Sequence, residues 1–293
     1  MVKIFLVIAL FFSFSAAAEI KNKETHISKS ENLLTAKIKS FIGEAAFKKD
    51  RAYIDIIFSP KEDYYINDGR VDSVKVIQTL KENGILNLFF KEPCEINISF
   101  KTDGPPLFFV KIMSDSLQNI GYYRYVTKES NLKASEFTWQ ISLTSEYAAD
   151  PLILSQELSK SGCEIVDIIR ESETDWTYVV NMQKAKLDTK VLEDGEELEL
   201  KRSLYSYWLD VSKIKKLRIS SSHRNSWYPY IAYYDKSLNL LRVLKKDVKR
   251  RRITLDMKEN TYYIKISDIY TLKNIKDALM LTSIGVREAF PKQ

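Results

Sequence analysis

Tyr228-Pro229-Tyr230-Ile231-Ala232-Tyr233-Tyr234 reads as a strand: Tyr228, Tyr230 and Tyr234 fall on one face, and Pro229, Ile231 and Tyr233 on the other. It is one of a series. Leu204 to Val211, Leu217 to Ser221, Leu240 to Leu244, Arg252 to Met257, Thr261 to Ser267 and Leu279 to Ile284 are further strand candidates, separated by polar turns. Just upstream, Leu187 to Leu192 and Glu197 to Lys201 flank Asp194-Gly195, a dipeptide suited to a tight hairpin. Short strands at this spacing predict a β-sandwich over about residues 183–290.

Before the sandwich the period changes, and the fold class becomes α+β. Residues 35–182 read as a repeat region holding two βαββ copies, about 52–101 and 137–182. In the first, a strand from Ala52 to Ser59 leads through a helix near Val71 to Asn83 and Gly84 to strands Ile85 to Lys91 and Glu95 to Lys101. In the second, a strand from Phe137 to Thr144 leads through a helix near Pro151 to Ser161 and Gly162 to strands Cys163 to Arg170 and Trp176 to Met182. Leu80-Lys-Glu-Asn-Gly84 matches Leu158-Ser-Lys-Ser-Gly162, each glycine stopping a helix, and Asp150-Pro151 is a cap followed by a first-turn proline. Gly104-Pro105-Pro106 turns the chain into a joining βαβ piece, with strands Leu107 to Met113 and Tyr122 to Thr127 around a helix from Ser116 to Ile120. A helix over Leu34 to Phe47 packs Ile38, Phe41 and Ile42 on one side.

The chain opens with Lys3, an apolar run from Ile4 to Phe14 and Ala16-Ala17-Ala18, the three regions of a secretory signal peptide over residues 1–18. The run is too short to span a bilayer, so the expectation is an exported, periplasmic chain cleaved near Ala18, with no transmembrane segment in the mature chain and a flexible leader at 19–34. Export gives Cys94 and Cys163 two readings, a disulfide or two buried thiols.

Several sandwich segments carry a family resemblance. Ser206-Tyr-Trp-Leu-Asp-Val, Lys216-Leu-Arg-Ile-Ser, Tyr230-Ile-Ala-Tyr-Tyr-Asp-Lys-Ser and Asn260-Thr-Tyr-Tyr-Ile-Lys-Ile resemble bacterial pre-peptidase C-terminal domains, jelly-roll-like modules appended to secreted proteins. The chain departs from that pattern at Asn260, where glycine is usual, and at Ser226-Trp227-Tyr228-Pro229, where acidic residues often stand. The resemblance implies an accessory module rather than an active site.

Charge is unevenly placed. Residues 201–252 hold 15 Lys/Arg against 3 Asp/Glu, whereas residues 19–200 hold 23 against 31. The sharpest run is Lys245-Lys246-Asp247-Val248-Lys249-Arg250-Arg251-Arg252. In an exported chain its counterparts are lipid headgroups, envelope polysaccharide or an acidic protein surface, including another copy, and not nucleic acid; a solvated loop with no partner is the alternative. Trp227, Tyr228, Tyr230 and Tyr234 offer either an exposed platform for sugars or proteins or part of the sandwich core.

Catalytic machinery is hard to assemble from these residues. Of the two histidines, His26 lies in the leader and His223 in a turn, and the sequence has no GxSxG, HExxH, CxxC, GxxxxGK[ST] or GxGxxG pattern. No cofactor or metal is expected. Strand carboxylates such as Asp55, Glu95 and Asp175 leave a carboxylate-based envelope hydrolase as a distant option. The leading expectation is a non-catalytic periplasmic scaffold or interaction protein in a larger envelope assembly, of the class of flagellar-motor or secretion-machine accessories. The next is a glycan- or peptidoglycan-binding module using the Tyr/Trp strands.

Overall fold

A computed structural model describes residues 33–287. The expected signal peptide and nearly all of the leader lie outside the described residues. The fold is α+β. In chain order the helices and strands are α1 (33–49), α2 (Arg51–Ile57), α3 (Ser73–Glu82), β1 (Phe89–Thr102), α4 (Pro106–Asn119), β2 (Val126–Lys133), β3 (Glu136–Tyr147), α5 (Pro151–Lys160), β4 (Glu164–Arg170) and β5 (Asp175–Asn181). Nine strands follow: β6 (Lys190–Val191), β7 (Glu197–Leu200), β8 (Tyr207–Asp210), β9 (Ile214–Ser221), β10 (Pro229–Tyr234), β11 (Leu240–Lys245), β12 (Arg252–Asp256), β13 (Tyr263–Asp268) and β14 (Leu279–Val286). The chain divides into two compact units. The first holds the described residues up to Asp103 together with Ser116–Ser159 and Cys163–Met182; the second holds Gly104–Asp115, Lys160–Gly162 and the described residues from Gln183 onward.

The first unit is built on a five-stranded sheet ordered β2-β3-β1-β5-β4, antiparallel except for the parallel pair β1 and β5. Period-two alternation sends Ile96, Ile98 and Phe100 of β1 to one buried face, opposite Leu143, Ile141 and Trp139 of β3. Phe100 lies between Trp139 and Tyr178, its ring centroid 5.9 and 5.8 Å from theirs. Asn97, Ser99 and Lys101 take the more solvated face, where the Asn97 amide donates to Asp175 at 2.9 Å. Residues 137–182 thus run strand, helix, strand, strand.

Residues 52–101 do not. Ala52 to Ser59, expected as a strand, is helical through α2, because backbone bonds continue from α1: Asp50 N–H donates to Ala46 and Ile54 N–H to Asp50. Ile54 and Phe58, one helical turn apart, take the buried positions and leave Ile56 exposed. The two strands expected over Ile85 to Lys101 are one long strand, β1, with an irregularity between Phe89 and Cys94. Leu107 to Met113, expected as a strand, begins α4: Pro106 supplies the fixed φ of a first turn, and Phe108, Phe109, Ile112 and Met113 are buried at helical spacing.

The second unit contains the expected sandwich. One sheet is ordered β11-β10-β13-β8-β6 and the other β12-β9-β14-β7. Ile231 and Tyr233 of β10 and Ile264 and Ile266 of β13 share a core with Leu217 and Ile219 of β9 and Leu279 and Leu281 of β14. Each such side chain removed from water contributes roughly 1.5–3 kcal/mol before ordering costs. From β7 to β14 the chain wraps between the sheets as a jelly roll does, with β10 and β11 the one consecutive pair kept in the same sheet. Asp194-Gly195, expected to close a hairpin, instead carries the chain across sheets, since β6 pairs with β8 and β7 with β14. Phe108 of α4 packs on Tyr263, ring centroids 6.3 Å apart, and the Lys111 ammonium lies 5.2 Å from the Trp208 ring.

Candidate functional site

Jelly-roll wrapping puts every second loop at the same end of the sandwich. The registers show which: Arg252 and Leu279 face the end of β9 at Ser220 and Ser221, Leu279 also faces Leu200, and Tyr230 faces both Lys245 and Ser267. The segments 201–206, 222–228, 246–251 and 269–278 therefore meet at one end. They carry nine Lys/Arg, namely Lys201, Arg202, Arg224, Lys246, Lys249, Arg250, Arg251, Lys273 and Lys276, against two Asp. All nine are exposed.

Buried groups fix three of these loops, 222–228, 246–251 and 269–278, to one another. Trp227 is 0 % exposed, plugs the core beneath the loops, and donates its indole N–H to the Ser267 carbonyl at 2.9 Å. The Trp227 carbonyl accepts from Arg250 N–H at 3.0 Å, which pins the basic loop directly to that plug. Asp268, buried, accepts from the backbone N–H groups of Tyr228, Tyr270 and Thr271 and from the Asn274 amide, at 2.8–3.0 Å. Asn225 joins two more segments, donating to Ser221 Oγ and the Ala278 carbonyl at 3.1 Å and accepting from Asp277 N–H at 2.7 Å. Buried polar groups satisfied this completely favour one arrangement of the loops.

Four large apolar side chains project from this end: Leu204 is 72 % exposed, Tyr205 68 %, Val248 59 % and Tyr270 62 %. Three of the four loops contribute them. Tyr270 meets Tyr228 edge-on at 5.1 Å and donates its hydroxyl to the Asp247 carboxylate, which pushes the Tyr270 phenol up. Asp277 accepts from Arg224 at 3.2 Å, and bonds from Ser222 and Arg224 hold its carboxyl below the ordinary range. Both acids of the surface are thus already engaged. Among the described residues, Lys245, Lys246, Lys249, Arg250, Arg251 and Arg252 have no carboxylate partner.

The residues singled out in the sequence separate here. Lys246, Lys249, Arg250 and Arg251 form the loop, with Lys245 and Arg252 at its strand ends. Lys245 also lies over Tyr230, 5.4 Å from the ring centroid. Tyr228 is half-buried at the rim. Tyr234 stacks instead on Trp208 at 5.0 Å. Trp227, which the sequence left open between an exposed platform and the core, is core. Sequence reading missed Arg202, Leu204, Arg224, Tyr270 and Lys273 as members of this surface; they belong to three separate loops, and only the alternation of strands between the sheets brings them to one end.

Cys94 and Cys163 are not bridged to each other. Cys94 precedes Asn97, which faces Asp175, whereas Cys163 adjoins Glu164, which faces Asn181. About ten residues of strand separate those levels, roughly 30 Å, far beyond the reach of a bridge. Burial pushes the Cys163 thiol up to about 11. Of the carboxylates, Asp55 is exposed on α2. Glu95 accepts from Ser142 at 2.6 Å and pairs with Lys128 at 3.1 Å, and Asp175 accepts from Ser172 at 2.5 Å and from Asn97; these bonds hold both carboxyls below the ordinary range. A general acid needs a shift in the opposite direction. The first unit also has a cavity of about 390 Å³ lined by Leu88, Phe89, Tyr122, Tyr147 and Ile153, with the Lys81–Asp150 ion pair among its walls.

No protein-family model matches the chain, and no curated protein matches it in sequence. Among solved structures, the chain is similar to one described as "Crystal structure of accessory secretory protein 1,2 and 3 in Streptococcus pneumoniae", at 15 % identity and a TM-score of 0.19 over 32 % of this chain and 74 % of that one. Among the described residues, no helix is long and apolar enough to cross a membrane.

Proposed function

We propose that this chain is an exported, non-catalytic interaction protein that works within a larger assembly of a bacterial envelope, and that the cationic end of its sandwich is the docking face. The observation that carries this reading is the convergence of nine exposed Lys/Arg on four loops, three of which are held together by Trp227, Asn225 and Asp268. Solvation alone does not require cations to gather at one end. Electrostatic complementarity to an anionic partner does, and a fixed loop arrangement lowers the ordering cost of binding. Flagellar-motor and secretion-machine accessories are the class of component this describes, and the periplasm is the compartment in which it would work.

The test is a photo-crosslinking amino acid placed in living cells at Lys249, on the docking face, and in parallel at Asn239, on a loop at the other end. Adducts with envelope components from Lys249 but not from Asn239 are the expected result. A strictly monomeric native protein giving no adduct from either position would overturn the reading.

A further inference from the structure

We infer that the partner of this end is an anionic lipid surface, onto which the sandwich docks end-on with Leu204, Tyr205, Val248 and Tyr270 entering the headgroup and acyl boundary and the surrounding Lys and Arg in the headgroup layer. This rests on the docking-face reading above and goes beyond it by naming the partner. The distinguishing feature is the composition of the rim. An anionic polysaccharide would be satisfied by the cations, with rings for stacking, and would leave the aliphatic tips of Leu204 and Val248 in water. A folded acidic protein would need apolar pockets matched to tips on separate loops. A bilayer interface accepts both at once without matched pockets: charge attraction holds the basic side chains at the headgroups while apolar groups bury just below them.

The placement of each residue suits that arrangement. Val248 stands between Asp247 and Lys249 at the centre of the basic loop, and that loop is pinned at both ends, Lys246 N–H to the Pro229 carbonyl and the Arg251 carbonyl to Ser221 N–H. Leu204 and Tyr205 follow Lys201 and Arg202 with only Ser203 between them. Tyr270 has an apolar ring and a polar tip, the combination favoured at membrane interfaces. Lys and Arg stems extend along apolar surface while their charged ends remain at the headgroups. The aliphatic tips gain nothing by staying in water, and the loop that carries Val248 is held by Trp227 beneath it.

Flotation of the mature chain with vesicles tests the inference. The probes are vesicles of phosphatidylcholine containing roughly one-third phosphatidylglycerol, and vesicles of phosphatidylcholine alone. The expected result is flotation with the first and not the second, weakening as salt is raised. Each cation near such a surface changes partition about five-fold, so the triple variant Lys249→Gln, Arg250→Gln, Arg251→Gln should lower it about 100-fold. The variant Leu204→Ser, Val248→Ser keeps every charge and should still lower it about 10-fold or more. All these positions are exposed, and an unchanged thermal transition confirms folding. No flotation with the anionic vesicles at low salt overturns the inference, as does partition unaffected by Leu204→Ser, Val248→Ser. If the vesicles fail but the Lys249 crosslinks form in cells and are lost in the triple variant, the docking face stands and its partner is a protein or polysaccharide; if both fail, the docking face falls too.

Discussion

Replacing Trp227 with alanine separates a core indole from a recognition platform. The side chain is 0 % exposed and lies within the cluster formed by Ile231, Ile266, Ile275 and Leu279. Removing so large a buried group costs roughly 3–5 kcal/mol in transfer and cavity terms. Losing the indole bond to the Ser267 carbonyl adds about 1 kcal/mol. The total, about 4–6 kcal/mol, is comparable with the whole stability of many domains of this size. At roughly 4 °C per kcal/mol for a unit of about 100 residues, the sandwich transition should fall by about 16 °C or more in a calorimetric or circular-dichroism melt. Tyr270→Ala, at an exposed ring of the same end, should shift it by no more than about 0.5 kcal/mol, or about 2 °C. If Trp227→Ala melts within about 4 °C of the parent, the indole is not the plug of this core. A stacking role for Trp227 would then return to consideration.

Three further outcomes follow from single residues. A Cβ added at Gly162, where φ is +66°, would lie 2.3 Å from the Lys184 carbonyl oxygen, so Gly162→Ala should destabilise by about 2 kcal/mol or more; Gly84→Ala, with φ of +70° and open space around it, should cost about 1 kcal/mol, and equal losses in denaturant titrations would contradict the close approach. Cys94 should react with a thiol reagent at neutral pH while Cys163 waits for unfolding, and the intact mass from non-reducing preparations should lack the two-hydrogen loss of a Cys94–Cys163 bridge. Burial pushes the Tyr122 phenol up to about 12, so the folded chain keeps a proton that the unfolded chain releases above about pH 10; the associated stability is complete below pH 10 and lost as pH climbs towards 12, and Tyr122→Phe should flatten that part of the curve of unfolding free energy against pH.

The strands of the sandwich could be read from the sequence because each is half-buried and flanked by polar turns, so alternation and burial coincide; Tyr230, Ile231 and Tyr233 take the sides that their parity gives them. Helices α2 and α4 were misread for the same physical reason in two forms. Tyr53 to Phe58 satisfies both periods over so few residues, and only its continuity with α1 decides between them. Leu107 to Val110 is an unbroken apolar run, in which periodicity carries no signal and Pro106 is the better guide. The candidate site was legible where it is contiguous, from Lys245 to Arg252. It was illegible where it depends on topology, because Tyr205 and Tyr270 are brought to one end only by the alternation of strands between sheets.

That alternation has an electrostatic consequence of its own. The loops at the opposite end, residues 192–196, 211–213, 235–239 and 257–262, carry Glu193, Asp194, Glu196, Asp235 and Glu259 against Lys213, Lys236 and Lys258. The jelly roll is therefore polarised along its strands, cationic at one end and mildly acidic at the other. Gathering like charges on one end works against the folded state, because they separate on unfolding. Added salt screens this repulsion over about 8–10 Å at physiological ionic strength, so moderate salt should raise the melting temperature of the parent sandwich. The same salt weakens attraction to an anionic surface, so stability and binding should move in opposite directions. In the variant Lys249→Gln, Arg250→Gln, Arg251→Gln both slopes should shrink together, since the same side chains produce both. A melting temperature that falls with salt in the parent, or a variant that loses one slope and keeps the other, would show that the cationic end is not the common origin.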